Sequence, residues 1–163
     1  SGRCVEALTG RRAPKGRRPV STKELQDQIK ENMSAWQKIE NAGVASAGAL
    51  AEKTSNPIVK LVMEIIQRDS QTHHRVQQMI IDSLEGGAIT LTPEDVAGVW
   101  GEIEKHIALE RKTIDLANAS LEAIGDRKGM VVQKYLLEYL RVDEDKHNDL
   151  LDRLETIKKG LYP

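Results

Sequence analysis

Residues 137–154, LEYLRVDEDKHNDLLDRL, form one strongly periodic segment, and the interpretation of the whole chain starts from it. Leucines recur there at spacings of three, four and seven, which is the spacing of residues on one face of an α-helix. Glu144 and His147 lie on or beside that face, where the pattern predicts leucine. Polar and charged groups on a buried face are costly unless they are paired or bound to a metal ion. Because they are three residues apart, the two side chains can point at one centre.

The same pattern occurs earlier in the chain, in residues 65–80 (IIQRDSQTHHRVQQMI). A shift of 74 residues places this segment on residues 139–154, and His73 then coincides with His147. The apolar positions of the two segments coincide under the same shift. An internal repeat of this kind indicates a supersecondary unit that is used twice. We therefore predict two repeats of a helical hairpin, and so four helices.

The composition is that of a helical domain. The chain has 163 residues, no phenylalanine and 3% aromatic residues, which disfavours a sheet. No apolar run approaches the roughly 20 residues that a membrane-spanning helix needs, so we expect a cytoplasmic protein that does not enter a membrane. The only cysteine, Cys4, excludes an internal disulfide.

Residues 1–20 carry six basic residues and one acidic residue, and we predict that they form a disordered tail. The dipeptide Ser1-Gly2, without an initiating Met, is typical of what remains when an expression tag is cleaved. A basic run can bind nucleic acid or an acidic surface. This one contains no aromatic residues that could stack on bases, so we do not expect nucleic-acid binding.

Residues 21–163 are predicted to form a four-helix bundle, with helices at about residues 22–54, 57–85, 93–125 and 130–159. Ser21 and Glu24 have the spacing of a capping box at the start of the first helix. Pro57 suits the first position of the second helix, and Thr92 precedes a proline and two acidic residues.

The third helix has a weak first half. Gly98 and Gly101 lower its stability, so it is either continuous from Pro93 or divided near Gly101. Further along, Glu110 interrupts an apolar stripe, as Glu144 does in the fourth helix.

Four helices, a duplicated hairpin and inward acid and histidine pairs resemble the ferritin-like superfamily, which includes rubrerythrin-type domains. That family places one Glu on the first helix of each hairpin and Glu-x-x-His on the second helix. Glu110, Glu144 and His147 match this pattern in the second hairpin. The resemblance implies an all-α, ferritin-like four-helix bundle that binds iron, or else manganese or zinc.

The first hairpin departs from the family's pattern. Under the 74-residue shift, Trp36 stands at the position of Glu110 and Ser70 at that of Glu144, so only His73 matches. We expect Trp36 to pack in the core, where a ligand is missing.

The resemblance and these departures together imply one metal ion rather than two. The predicted ligands are Glu110, Glu144, His147 and His73, with Asp69, His106 and Glu40 as weaker candidates within about one helical turn of the expected level. The alternative is that these groups satisfy one another as buried pairs, and for His73 with Asp69 we favour that alternative.

Two functions follow from these alternatives. The first is metal binding, with iron handling or oxidase-like chemistry at a reduced or mononuclear site. The second is a helical bundle that has lost the metal and serves as an interaction or assembly module. A homodimer or another homo-oligomer is expected, because apolar faces of long helices pair readily.

The order of the helices in the bundle stays open. Eight residues lie between Leu84 and Pro93, near the ends of the second and third helices, and they reach at most roughly 30 Å. That span is too short for parallel helices that keep His73 level with Glu110. Either the bundle runs up-down-up-down, or residues 93–101 belong to a crossover, which the resemblance favours.

Overall fold

The computed structural model describes residues 21–86 and 89–161, and every regular element in these ranges is an α-helix. The helices are α1 (Thr22–Lys53), α2 (Pro57–Leu84), α3 (Pro93–Ala97), α4 (Trp100–Ile124) and α5 (Val131–Lys158). The prediction of an all-α chain is confirmed. The basic segment 1–20, which we predicted to be a disordered tail, lies outside the described residues. None of the helices in these ranges combines the length and the apolar character that a membrane-spanning segment needs.

Contacts divide the chain between Ile89 and Thr90 into two units. Unit 1 contains α1 and α2, and unit 2 contains α3, α4 and α5. The ferritin-like arrangement of the two hairpins stays a prediction.

Unit 1 is an antiparallel hairpin of two long helices. The capping box predicted for α1 is present, since Ser21 Oγ accepts from the Glu24 N–H at 3.2 Å and the Glu24 carboxylate accepts from the Ser21 N–H at 2.8 Å. At the start of α2, the Asn56 side chain accepts from two backbone N–H groups, and Pro57 takes the first helical position. The link between the two capped helices is only three residues long, residues 54–56, so α2 must turn back along α1.

Small residues let α1 and α2 approach closely. Ala47 and Ala51 are buried between them. A Cβ atom built on Gly43 would lie 3.2 Å from Ser70 Oγ, and one on Gly48 would lie 2.8 Å from Gln67 Nε2. A side chain at Gly43 would press on the short Ser70 side chain, whereas one at Gly48 would require the flexible Gln67 side chain to move.

Unit 2 is an antiparallel hairpin of α4 and α5, with the short helix α3 packed on α5. The helix predicted at residues 93–125 is in fact two helices, because the chain leaves α3 at Gly98 and enters α4 after Val99. Val96 and Trp100, on either side of this break, are both buried. Lys158 Nζ lies 4.5 Å from the centre of the Trp100 ring, which adds a cation–π contact between α4 and α5.

The link between α4 and α5 is longer than the link in unit 1. It comprises residues 125–130 and includes Gly125 and Gly129 at φ values of 51° and 93°. These are left-handed conformations that glycine adopts without strain. The links of the two hairpins therefore differ in length and conformation, so a single shift in residue number cannot align both helices of one hairpin with those of the other.

Candidate metal centre

Helices α4 and α5 bring three of the predicted ligands together. Glu110, Glu144 and His147 each offer a ligand atom, and these atoms all lie within 4.8 Å of one another. His147 Nδ1 is 3.4 Å from Glu110 Oε2 and 3.5 Å from Glu144 Oε2. Glu144 and His147 reach one point because they are three residues apart on α5. Within the described ranges, this is the one group of three or more His, Cys, Asp or Glu side chains that could hold a metal ion.

The position of Glu110 is costly for a carboxylate. The residue is 7% exposed, and its Oε2 atom is buried without a hydrogen-bond partner among the described residues. Glu144 and His147 are more open, with side-chain exposures of 22% and 41%. An ionised oxygen that is buried and lacks a donor destabilises a protein. A bound cation would remove that cost, so the group could hold a metal ion.

The two carboxylates also perturb each other. The pKa of Glu144 is raised, chiefly by its hydrogen bond to Glu110 and by burial, against the opposing effects of Thr113 and His147. The pKa of Glu110 is lowered, chiefly by the same hydrogen bond, which outweighs burial with help from His147 and His106. Two ionised carboxylates have no donor, so this bond forms only when the pair holds a proton, and the raised pKa of Glu144 favours that residue as the carrier. With both carboxyls ionised, Glu110 Oε2 has no donor among the described residues. The pair therefore holds a proton to a higher pH than an isolated glutamate does, and a metal ion would compete with that proton.

Neighbouring side chains contact the ligand residues at the atoms that are not directed at the other two ligands. His106 Nε2 is 2.8 Å from Glu110 Oε1, the oxygen that faces away from His147. Asp143 Oδ2 is 3.8 Å from His147 Nε2, the ring nitrogen opposite the one that faces the carboxylates. Asp143 is itself paired with Lys146. Polar partners on the far atoms of ligands are typical of metal sites, where they orient the ligands.

Two grooves of unit 2 give access to the group. One runs between α4 and α5 and reaches Glu144; its lining includes Thr113, Leu116, Ala117, Leu137 and Leu140. The other is lined by His106, Glu110, His147, Leu150 and Leu151. An ion could therefore enter without unfolding of the hairpin.

Unit 1 contains a related cluster with fewer possible ligands. His73 Nδ1 lies 3.3 Å from Glu40 Oε1, and Gln77 Nε2 lies 3.5 Å from the same oxygen. Glu40 and Ser70 are buried at 8% exposure. Burial alone would raise the pKa of Glu40, but the hydrogen bond from Ser70, the charge of His73 and the hydrogen bonds from Trp36 and Gln77 lower it. Protein donors therefore satisfy this carboxylate.

The fourth predicted ligand, His73, is not among the three clustered residues, and the weaker candidates divide between the two units. Glu40 and His73 form an acid–histidine pair in unit 1, and Asp69 is exposed on α2. The pairing of His73 with Asp69 that we favoured is thus replaced by a pairing with Glu40. His106 contacts Glu110 in unit 2 but is not among the three clustered ligands.

The 74-residue shift gave the wrong counterpart on the first helix of unit 1. Glu40, not Trp36, takes the place of Glu110, because Glu40 is the buried carboxylate beside His73. The buried glutamate and the histidine are 33 residues apart in unit 1 and 37 apart in unit 2. The longer link 125–130 accounts for most of this difference. The expectation that Trp36 fills a core position was also wrong, since the residue is 49% exposed.

No family model, curated protein or solved structure gives a significant match to this chain. The resemblance to the ferritin-like superfamily therefore rests on the residue pattern alone. A fold does not by itself determine a function, so the function has to be inferred from the chemistry of the group formed by Glu110, Glu144 and His147.

Proposed function

We propose that this chain is a metal-binding helical protein of the ferritin-like type, and that Glu110, Glu144 and His147 hold one ion of iron, manganese or zinc. The observation that carries the proposal is the buried Oε2 atom of Glu110, which has no hydrogen-bond partner among the described residues and faces the other two ligands. Two carboxylates and one imidazole are a donor set that suits these metals.

The chemistry of such a site follows from its three protein ligands. Three ligands leave at least one coordination position open, as in catalytic rather than structural metal sites. Iron bound there would supply one-electron redox chemistry, and the grooves beside Glu144 and His147 would admit small reactants. Iron handling or oxidase-like chemistry at a mononuclear site is therefore the function class that we propose, in a cytoplasmic protein.

A second candidate function, an interaction or assembly module without metal, is favoured by the apolar surface of both hairpins. Large apolar side chains are about half exposed or more on each; they include Leu25, Ile39 and Leu50 in unit 1 and Leu109, Leu116 and Leu150 in unit 2. Exposed apolar surface of this kind is typical of interfaces. We propose that a second copy of the chain covers part of it, in a homodimer or larger homo-oligomer. Light scattering coupled to gel filtration tests this, and a monomer at all concentrations would contradict it.

Metal analysis separates the two functions. Protein stripped with a chelator is reloaded with Fe²⁺ without oxygen, or with Mn²⁺ or Zn²⁺, and desalted. Metal binding predicts more than about half an equivalent per chain, lost in Glu144→Ala. The matched control is Glu138→Ala, which removes an exposed carboxylate from the same helix and should retain the metal. Less than about a tenth of an equivalent, with a melting temperature that chelation does not change, would contradict metal binding and favour the assembly module.

A further inference from the structure

In both units, a residue with an aromatic ring N–H group stands four positions before the buried glutamate in the same helix. In unit 1, a hydrogen bond from Trp36 is among the causes that lower the pKa of Glu40. In unit 2, His106 Nε2 lies 2.8 Å from Glu110 Oε1. Residues four apart lie on the same helix face, so the two hairpins place the same kind of donor at the same point.

Trp36 indicates which property is common to the residues four positions before the two buried glutamates. The indole ring has one N–H donor and no lone pair that can bind a metal ion. Trp36 therefore cannot be a ligand, yet it helps to lower the pKa of Glu40, as the charge of His106 helps to lower the pKa of Glu110. The property that both hairpins share at this position is a ring N–H group that can stabilise the carboxylate.

The geometry of unit 2 shows what the donation achieves there. The two oxygens of Glu110 face different partners, with Oε1 toward His106 and Oε2 toward His147, 3.4 Å from its Nδ1 atom. A donor on Oε1 restricts rotation of the carboxylate and leaves Oε2 free for an ion. The His106 side chain is 58% exposed, and it lies outside the group of three clustered ligands.

We propose that His106 is a positioning residue rather than a ligand, an inference that rests on the metal-binding function proposed above. Its Nε2–H group donates to Glu110 Oε1 and holds Oε2 toward Glu144 and His147. Outer partners of metal ligands act in this way, and their loss typically lowers metal affinity by about 10- to 100-fold. This role differs from the weaker ligand role that the sequence suggested.

Replacing His106 by the residue of the other repeat tests the proposal. Co²⁺ is the probe, because its visible absorption reports both affinity and coordination. We expect His106→Ala to weaken Co²⁺ binding by about 10- to 100-fold. We expect His106→Trp to stay within about threefold of the original chain, since a ring N–H donor is kept. The matched control is Lys105→Ala, which changes the neighbouring exposed residue of α4 and should leave the affinity unchanged.

A second variant and a second readout keep the test decisive if His106→Trp does not fold. His106→Gln also keeps an N–H donor, and we expect it to bind Co²⁺ more tightly than His106→Ala. X-ray absorption at the cobalt edge should count one imidazole in the original chain, and the same number in His106→Ala at saturating Co²⁺.

Three other outcomes would contradict either the positioning role of His106 or the metal-binding function. Equal losses in the Ala, Trp and Gln variants, with one imidazole fewer in the cobalt spectrum, would make His106 a ligand. Full affinity in His106→Ala would show that it neither binds nor positions. If the original chain does not bind Co²⁺ at all, the metal-binding function itself fails, and this inference fails with it.

Discussion

Glu144→Gln should stabilise the metal-free protein while it abolishes metal binding. In the metal-free state, Glu144 and Glu110 place two carboxylates in a largely buried site, and the raised pKa of Glu144 reflects the cost. Glutamine has nearly the same shape and no charge. Its amide N–H₂ group can donate to the buried Oε2 atom of Glu110, which has no hydrogen-bond partner among the described residues.

The size of the effect follows from the separation of the charges. Two unit charges 4.8 Å apart, the distance within which the ligand atoms of the group all lie, repel by about 3.5 kcal/mol at an effective dielectric constant of 20. The partial exposure of Glu144, at 22%, the nearby His147 and the shared proton reduce this, so we expect a net gain of about 1 kcal/mol. For a chain of this length that gain raises the melting temperature by about 2–4 °C. Most substitutions act in the opposite direction.

The pH dependence has a definite sign. The pKa of Glu144 is higher in the folded protein than its ordinary value of 4.5. Its protonated form therefore contributes stability that is fully present below pH 4.5 and is lost as the pH rises through the raised value. The advantage of Glu144→Gln should be small in acid and should grow toward neutral pH.

The assay is thermal unfolding followed by circular dichroism, with a chelator present. Glu138→Gln serves as the control, because it removes the same charge from an exposed position on the same helix. If Glu144→Gln melts no higher than Glu138→Gln near neutral pH, the reasoning is refuted, since the two carboxylates would then not repel each other. Retention of the metal by Glu144→Gln would equally contradict the role of Glu144 as a ligand.

Three further predictions concern the two carboxylate clusters. Metal binding should weaken as the pH falls through the raised pKa of Glu144, because a proton then competes with the ion for that carboxylate, and binding in that pH range should release protons; calorimetry in buffers of different ionisation enthalpy measures this. Ser70→Glu should raise the metal content from about one to about two equivalents per chain, since it adds a carboxylate beside Glu40 and His73. Glu40→Gln should lower stability near neutral pH, because the pKa of Glu40 is lowered and its ionised form therefore stabilises the fold. This stabilisation is present above the ordinary pKa of 4.5 and is lost as the pH falls through the lowered pKa. Melting temperatures measured across this pH range test it.

These predictions have their own controls and contradicting results. Calorimetry that detects no proton release as the pH falls toward the ordinary glutamate value of 4.5 would show that Glu144 does not hold a proton against the ion. Ser70→Ala should leave the metal content unchanged, and an unchanged content in folded Ser70→Glu would refute the correspondence between Ser70 and Glu144. A Glu40→Gln variant that is as stable as the original chain near neutral pH would mean that the donors around Glu40 do not favour its charge.

Local signals in the sequence were sufficient for the starts of α1, α2 and α3. The capping box of Ser21 and Glu24 and the cap by Asn56 depend on residues within one turn, so their geometry follows from spacing alone. The break in the predicted third helix needed more than local information. Gly98 and Gly101 both weaken the helix, and only the structure shows that the chain breaks at Gly98 and Val99, where Val96 and Trp100 are buried.

Periodicity predicted the three clustered residues because Glu110, Glu144 and His147 interrupt apolar stripes on adjacent helices. It could not predict the register of the first repeat. The apolar periodicity within each helix does not depend on the length of the link between the helices. Extra residues in a link therefore change which positions of the two helices lie opposite each other, while the periodic pattern stays the same. Glu40 therefore takes the position that the 74-residue shift assigned to Trp36, and it lies beside His73. Comparing the three-residue link before Pro57 with the glycine-containing link 125–130 would have revealed the shift.

Anomalous diffraction from crystals grown with saturating Mn²⁺ or Zn²⁺ tests most directly whether the three side chains bind one ion. We predict a single strong peak in unit 2, about 2.0–2.2 Å from an oxygen of Glu110, an oxygen of Glu144 and the Nδ1 atom of His147. A map without a peak at these side chains, or with its only peak beside Glu40 and His73, would contradict the assignment.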